Sequence, residues 1–189
     1  MTTLAPTTDL SPEAALERAL IGRPSIALDE THSFVLPTIP MDPAWIERFD
    51  AAEASRRAPS AAQQKKREAL ALALTAFGGQ RACIAPFEED LDKIMRRGRL
   101  LCGKSPKIMR GLPSRCHANV SRLYETRPGA FLLSTGYALS TDGMWRQHSW
   151  GFCLERRTAQ LVETTVSRIA YFGYVMSDAE ARNFVDENL

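Results

Sequence analysis

Thiols and imidazoles are scarce in the 189 residues: four cysteines, three histidines, and no two cysteines two residues apart. Structural zinc draws its ligands in closely spaced pairs, so Cys83, Cys102, Cys116 and Cys153 do not suit a metal site and none is expected. Their scatter does not suit a disulfide framework either, which makes a reducing cytoplasm the expected compartment. The opening stretch MTTLAPTTDLSPEAALERAL lacks a basic region followed by an apolar core, so no secretory signal is expected. Long hydrophobic runs are also missing. ALALALTAF (69–77) falls well short of the ~20 residues that cross a bilayer, so no membrane partner is expected. No internal repeat is found, and nothing calls for a cofactor.

What is present describes an ordinary folded domain with an extension. Hydrophobic residues make up 44% and charged residues 24%, enough apolar material for a sizeable core. Residues 1–59 hold seven of the eleven prolines and read as a proline-rich helical arm. Ser11-Pro12 and Asp42-Pro43 each pair an N-cap residue with proline at the first helical position, while HSFVLPTIPM between them reads as extended chain. Residues 60–189 form the second unit. One helix starts at Ser60 and stops at Gly78-Gly79; another covers PFEEDLDKIMRRG, acids early and bases late as a helix dipole prefers. A third begins at Ser114. From Phe131 to Tyr174 the residues turn β-branched and aromatic, with a hairpin about Thr141-Asp142-Gly143 and further strands in QLVETTVS and RIAYFGYVM. Ser177 and Glu180 form a capping box for a terminal helix. Helices, an antiparallel meander and a last helix give an α+β fold.

The stretch GLPSRCHANVSRLY (111–124) sets a cysteine beside a histidine at the start of the third helix. With Ser114 as N-cap, Cys116 lies in the first turn, where unpaired N–H groups favour a thiolate and can bind an oxyanion. His117 is adjacent, but successive helical residues diverge by about 100°, so its ring is expected to point elsewhere, with a substrate contact as its functional reading. His32 lies in the arm. His148 stands mid-strand in WRQHSWGF on the face that carries Trp150 and Phe152. An imidazole among apolar neighbours needs a partner, and Glu163 in LVETTV is an acid equally in need of one. Paired, they form the base and orienting halves of a triad, with Thr164 and Thr165 as supporting donors. The alternative is a structural pair that anchors the sheet. Cys83, Cys102 and Cys153 are expected to be packed, and Tyr171, Phe172 and Tyr174 to pack against the helices.

A nucleophile at a helix start, a histidine 32 residues later and an acid 15 residues beyond resembles the order in papain-like enzymes, most closely the transglutaminase-like enzymes and bacterial cell-wall endopeptidases. The resemblance covers about residues 100–175 and implies a papain-like α+β core. It implies Cys116 as nucleophile, His148 as base and Glu163 as the orienting residue. Papain-like proteases carry a glutamine six residues before the cysteine as an oxyanion donor; Arg110 stands there, leaving Gln80, Asn119 and Gln147 as substitutes. The implied activity is acyl transfer from a peptide, amide or thioester, without cofactor or metal. Arg110, Arg115, His117, Gln147 and Trp150 are the expected substrate contacts.

Lys93 to Arg127 holds ten Lys/Arg against one acid, Glu125. Such a segment suits an anionic substrate or an acidic protein, or is simply a solvated face. A non-enzymatic module that binds nucleic acid or an acidic protein is the competing reading. The segment lacks the interleaved aromatics of a single-strand binder and any named DNA-reading motif, so nucleic acid is the weaker partner.

Overall fold

Local capping chemistry sets several helix boundaries. The structure, a computed structural model, describes residues 42–54, 59–102, 106–154 and 159–189. His32, the Ser11-Pro12 element and HSFVLPTIPM lie outside the described residues. Helix α1 (Pro43–Ala54) starts as its proline foretells, with Asp42 Oδ1 accepting from the Ala44 N–H at 3.0 Å. Ser60 and Gln63 close a capping box on α2 (Ala61–Ala76), and Ser177 and Glu180 close another on α5 (Asp178–Asn188). Between them lie α3 (Leu91–Arg97) and α4 (Cys116–Thr126).

The expected helix from Pro86 begins five residues late, at Leu91. Glu88 is turned aside to accept from the Tyr137 hydroxyl at 2.7 Å and the Gln147 amide at 3.3 Å, and these tertiary bonds override helix propensity. α1 rests on the sheet through its aromatics: the Arg146 guanidinium lies over Trp45, the Arg81 guanidinium over Phe49, and Arg81 also pairs with Asp50.

Among the described residues, seven strands form one sheet: β1 (Arg81–Cys83), β2 (Arg99–Cys102), β3 (Lys107–Ile108), β4 (Phe131–Leu139), β5 (Met144–Cys153), β6 (Gln160–Glu163) and β7 (Ala170–Val175). Their order is β2-β7-β4-β5-β6-β3, with β1 also on β5. The sheet is mixed, which corrects the expected antiparallel meander: β1–β5 and β3–β6 are parallel. Strands of two to four residues carry little readable alternation, so β1, β2 and β3 escape a periodicity reading.

The sheet is curled. β2 and β3 lie at its opposite ends, five inter-strand steps apart, or about 24 Å if flat. Only residues 103–106 connect them, a stretch that spans at most ~18 Å. The ends therefore bend toward one another. All nine residues of β4 are buried, because both of its faces are covered. The outer face carries Tyr137, Trp145 and Tyr174 against Leu70 and Leu74 of α2, Ile94 of α3, Val120 of α4 and Ala181 of α5. The inner face holds Leu132, Trp150, Phe152, Leu161 and Tyr171. Tyr171 thus faces inward, away from the helices against which it was expected to pack. Among the described residues, no helix is long and apolar enough to cross a membrane.

Gly136 and Gly173 sit opposite each other on β4 and β7, where the two backbones leave no room for a side chain. A Cβ on Gly173 would come within 2.2 Å of the Thr135 carbonyl oxygen and 2.7 Å of Trp150. Gly173→Ala should therefore destabilise the fold by about 1–3 kcal/mol or more. Thermal and urea unfolding would show a lower midpoint; an unchanged midpoint would mean that the strands separate freely here.

Candidate active site

β5 pairs with β4 along its length, but its other edge is shared. β1 takes Met144–Arg146 and β6 takes Gly151–Cys153, so residues 147–150 have no strand neighbour on that side. The segment leading into α4 fills this window. Met109 and Gly111 donate their N–H groups to the carbonyls of Glu163 and Thr164, both at 2.8 Å. Asn119 then clamps Leu112, accepting from its N–H at 2.9 Å and donating to its carbonyl at 2.8 Å. Gly111 permits the clamp, since a Cβ there would lie 2.3 Å from Asn119 Cγ. Ser114 adopts φ 57°, the left-handed region that a serine rarely occupies, to turn the chain into α4.

The helix consequently starts one residue later than expected. Arg115, not Ser114, is the N-cap, and it makes no side-chain capping bond. Cys116 is the first helical residue, and the first-turn N–H groups have no cap to satisfy them. The His148 ring and the backbone N–H groups of Ser149 and His117 lie close enough to the Cys116 sulfur to lower its pKa. The Ser149 donor comes from the open edge of β5.

His148 Nε2 lies 2.8 Å from Glu163 Oε2, which leaves Nδ1 for the thiol. His148 is 2% exposed and Glu163 0%. Glu163 is fully engaged: Oε2 also accepts from the Tyr171 hydroxyl at 3.0 Å, and Oε1 accepts from the Thr165 N–H at 2.7 Å and its hydroxyl at 2.9 Å. Cys116, His148 and Glu163 are thus brought together from a helix start and two neighbouring strands, with His148 bonded to Glu163 and set beside the thiol.

Charge follows geometry. Burial pushes the Cys116 thiol up, but the His148 ring and the two backbone N–H groups pull it further down, so it ends below the usual thiol range. Burial pushes the His148 imidazole down, yet the hydrogen bonds and charges of Cys116 and Glu163 reverse this and hold it above its ordinary value. Burial raises the Glu163 carboxyl; His148 and Thr165 outweigh that and hold it low. All three shifts run toward the charged form of the group. Tyr171 is pushed up by burial and by the neighbouring carboxylate, so it stays a proton donor.

The other expected residues divide. Arg110 and Arg115 lie exposed on the segment that carries Cys116, with no acidic partner among the described residues. His117 turns away from the thiol but not into solvent: Nδ1 lies 2.7 Å from Ser149 Oγ and the ring packs edge-on against Phe184. Burial, then the charge of His148, push it toward the neutral form. Gln147 points to the opposite face from His148, as alternation requires, and meets Glu88. Trp150 is buried behind His148, ring centroids 6.3 Å apart, and is no lining of the window. Of the proposed oxyanion donors, Asn119 is committed to Leu112, Gln147 to Glu88, and Gln80 lies by Gly143 at the far end of the hairpin. That leaves the backbone N–H groups at the helix start.

Tyr171 and Ser149 are the contributors that the sequence reading missed. Tyr171 lies eight residues beyond Glu163 in a strand whose aromatic run looks like plain core, and Ser149 acts through its backbone. Thr165 supports the carboxylate as expected; the Thr164 hydroxyl is buried with no hydrogen-bond partner among the described residues. Cys83 and Cys153 are buried and Cys102 half-buried. The basic segment is partly neutralised, Lys93 by Asp90 and Arg97 by Glu180. Among the described residues no cluster of three or more His, Cys, Asp or Glu side chains is grouped for a metal ion. No known protein family, curated protein or solved structure matches the chain.

The coupled charges predict a two-sided pH profile. Glu163 is depressed, so its contribution to stability is present at neutral pH and lost as pH falls through its folded value. His148 is raised, so its contribution is present below its unfolded value and lost as pH rises through the folded one. Thermal melts across pH should show both shoulders, and Glu163→Gln should flatten both and lower the His148 pKa read by NMR. A His148 titration indifferent to Glu163→Gln would contradict the pairing.

Proposed function

We propose that the chain is a cysteine-dependent acyl-transfer enzyme with a papain-like, transglutaminase-like core, in which Cys116 is the nucleophile, His148 the base and acid, and Glu163 the orienting residue. One observation carries the reading: the imidazole bonded to the Glu163 carboxylate stands beside a helix-start thiol whose pKa it lowers together with two backbone N–H groups. A histidine–glutamate pair that served only to anchor the sheet would need neither the thiol nor those donors.

The Cys116 thiolate attacks the carbonyl carbon of an amide or thioester, forming a C–S bond and a tetrahedral oxyanion. The uncapped N–H groups at the start of α4 are the donors for that oxyanion. On collapse the C–N or C–S bond to the leaving group breaks, and the imidazolium gives its proton to the departing amine or thiolate. Water or an amine then attacks the thioester while His148 takes its proton, and the Cys116 thiolate leaves. Glu163, fixed by Tyr171 and Thr165, holds the ring orientation throughout and stabilises its charged form. Arg110 and Arg115 favour an anionic group on the substrate near the scissile bond. Such a thiol works in a reducing cytoplasm, which is the compartment that we propose.

Alkylation tests this directly. Iodoacetamide at slightly acid pH should modify Cys116 far faster than Cys83, Cys102 or Cys153, as read by peptide mass spectrometry. His148→Ala should slow Cys116 by roughly a hundredfold or more, in line with the loss of a general base. Slow labelling of all four cysteines, or a rate that ignores His148→Ala, would refute the reading.

A further inference from the structure

The side chains next in sequence to the nucleophile and to the base also meet. His117 follows Cys116 on α4, Ser149 follows His148 on β5, and His117 Nδ1 lies 2.7 Å from Ser149 Oγ. Ser149 has no exposed surface, and its hydroxyl donates to Thr135 Oγ1, on its cross-strand partner in β4, at 3.2 Å. A hydroxyl has one proton to give. With that proton committed to Thr135, Ser149 Oγ accepts from the imidazole, and His117 carries its proton on Nδ1.

The two pairs grip β5 from opposite faces. Successive side chains of a strand alternate, so His148 turns inward beside Trp150 and Tyr171 while Ser149 turns outward to meet α4. Successive side chains of a helix diverge by about 100°, which lets Cys116 reach one side of the strand edge and His117 the other. Other anchors leave this junction open. Arg115 makes no side-chain capping bond, and the Asn119 clamp holds the approach to α4 against α4 itself without touching β5. Phe184 of α5 packs edge-on against the His117 ring, centroids 5.5 Å apart, and keeps it on the strand.

His117 does not act on the thiol as a charge. Burial and the charge of His148 push it toward the neutral form, and its proton-bearing nitrogen is engaged by Ser149. Its influence passes through position. We propose that His117 is a positioning residue of the acyl-transfer site: through Ser149 it holds the start of α4 on β5 at the separation that sets Cys116 beside His148. The inference rests on the acyl-transfer reading, and it gives the histidine next to the nucleophile a task other than the substrate contact expected of it.

Iodoacetamide labelling of Cys116, followed against pH by peptide mass spectrometry, reads the thiolate population. His117→Phe keeps an aromatic ring against Phe184 and removes the donor; Ser149→Ala removes the acceptor. Each should move the rise of the Cys116 profile to higher pH and slow labelling at slightly acid pH by about threefold to tenfold, the size of one lost hydrogen bond. The double variant should be no slower than the slower single one, because both changes break the same bond. His117→Asn, whose amide nitrogen can stand where Nδ1 stood, should restore most of the wild-type profile. A bond that only supported the fold would lower the melting midpoint and leave the profile in place. That result, or single effects that multiply in the double variant, would overturn the proposal. Should His117→Phe not fold, long-range ¹H–¹⁵N spectra of the wild-type and Ser149→Ala chains decide: the His117 Nδ1–H signal should move with Ser149→Ala, and a signal that ignores the change would refute the tie. The two failures are distinct. Wild-type Cys116 labelling no faster than the other cysteines would remove the enzyme reading and this inference with it, whereas a fast Cys116 indifferent to both variants would remove the positioning role alone.

Discussion

A carboxylate with no exposed surface sits inside the curled sheet, and the groups around Glu163 are arranged to keep it charged. Moving such an ion out of water costs several kcal/mol even after the protein relaxes. Each hydrogen bond to a charged group contributes about 1.5–3 kcal/mol. Glu163 has four donors: His148, Tyr171 and two from Thr165. That number is of the size needed to offset desolvation, and fewer would leave the neutral acid favoured. Cys116 and Glu163 together hold His148 up against its burial, and His148 with the backbone N–H groups of Ser149 and His117 holds the thiol low.

The architecture serves this arrangement by leaving one edge unfinished. If β6 or β1 extended along β5, the Ser149 N–H would be consumed by a sheet bond and the sulfur would have no place beside His148. The Asn119 clamp and the Ser114 backbone conformation bring the start of α4 into that window. Strain at Ser114 is tolerated because the segment is tied on both sides, to Glu163 and Thr164 before it and to Asn119 after it.

Legibility in the sequence followed the range of the interactions. The helix start at Ser60 and the capping box at Ser177 are local, and both were readable, although the Gln63 half of the box at Ser60 was not read. The shared inner face of His148 and Trp150 follows from strand alternation, and the need of Glu163 for a partner follows from the cost of burying it. The late start of α3 was not readable, because it depends on Tyr137, 49 residues from Glu88. Neither were β1 and β3, too short to show a period and defined only by what they lie beside. Tyr171 was hidden for a different reason: its ring packs like any core aromatic, and only its hydroxyl reveals a second task.

Synthesis order gives the curled sheet one further meaning. Cys116 leaves the ribosome 47 residues ahead of Glu163, and Tyr171 follows later still. Until the last strands dock, the sulfur has neither its imidazole's counter-charge nor the β5 edge in place, and behaves as an unremarkable side chain. A nascent or misassembled molecule is therefore chemically quiet, and nucleophilic character arrives together with the finished fold.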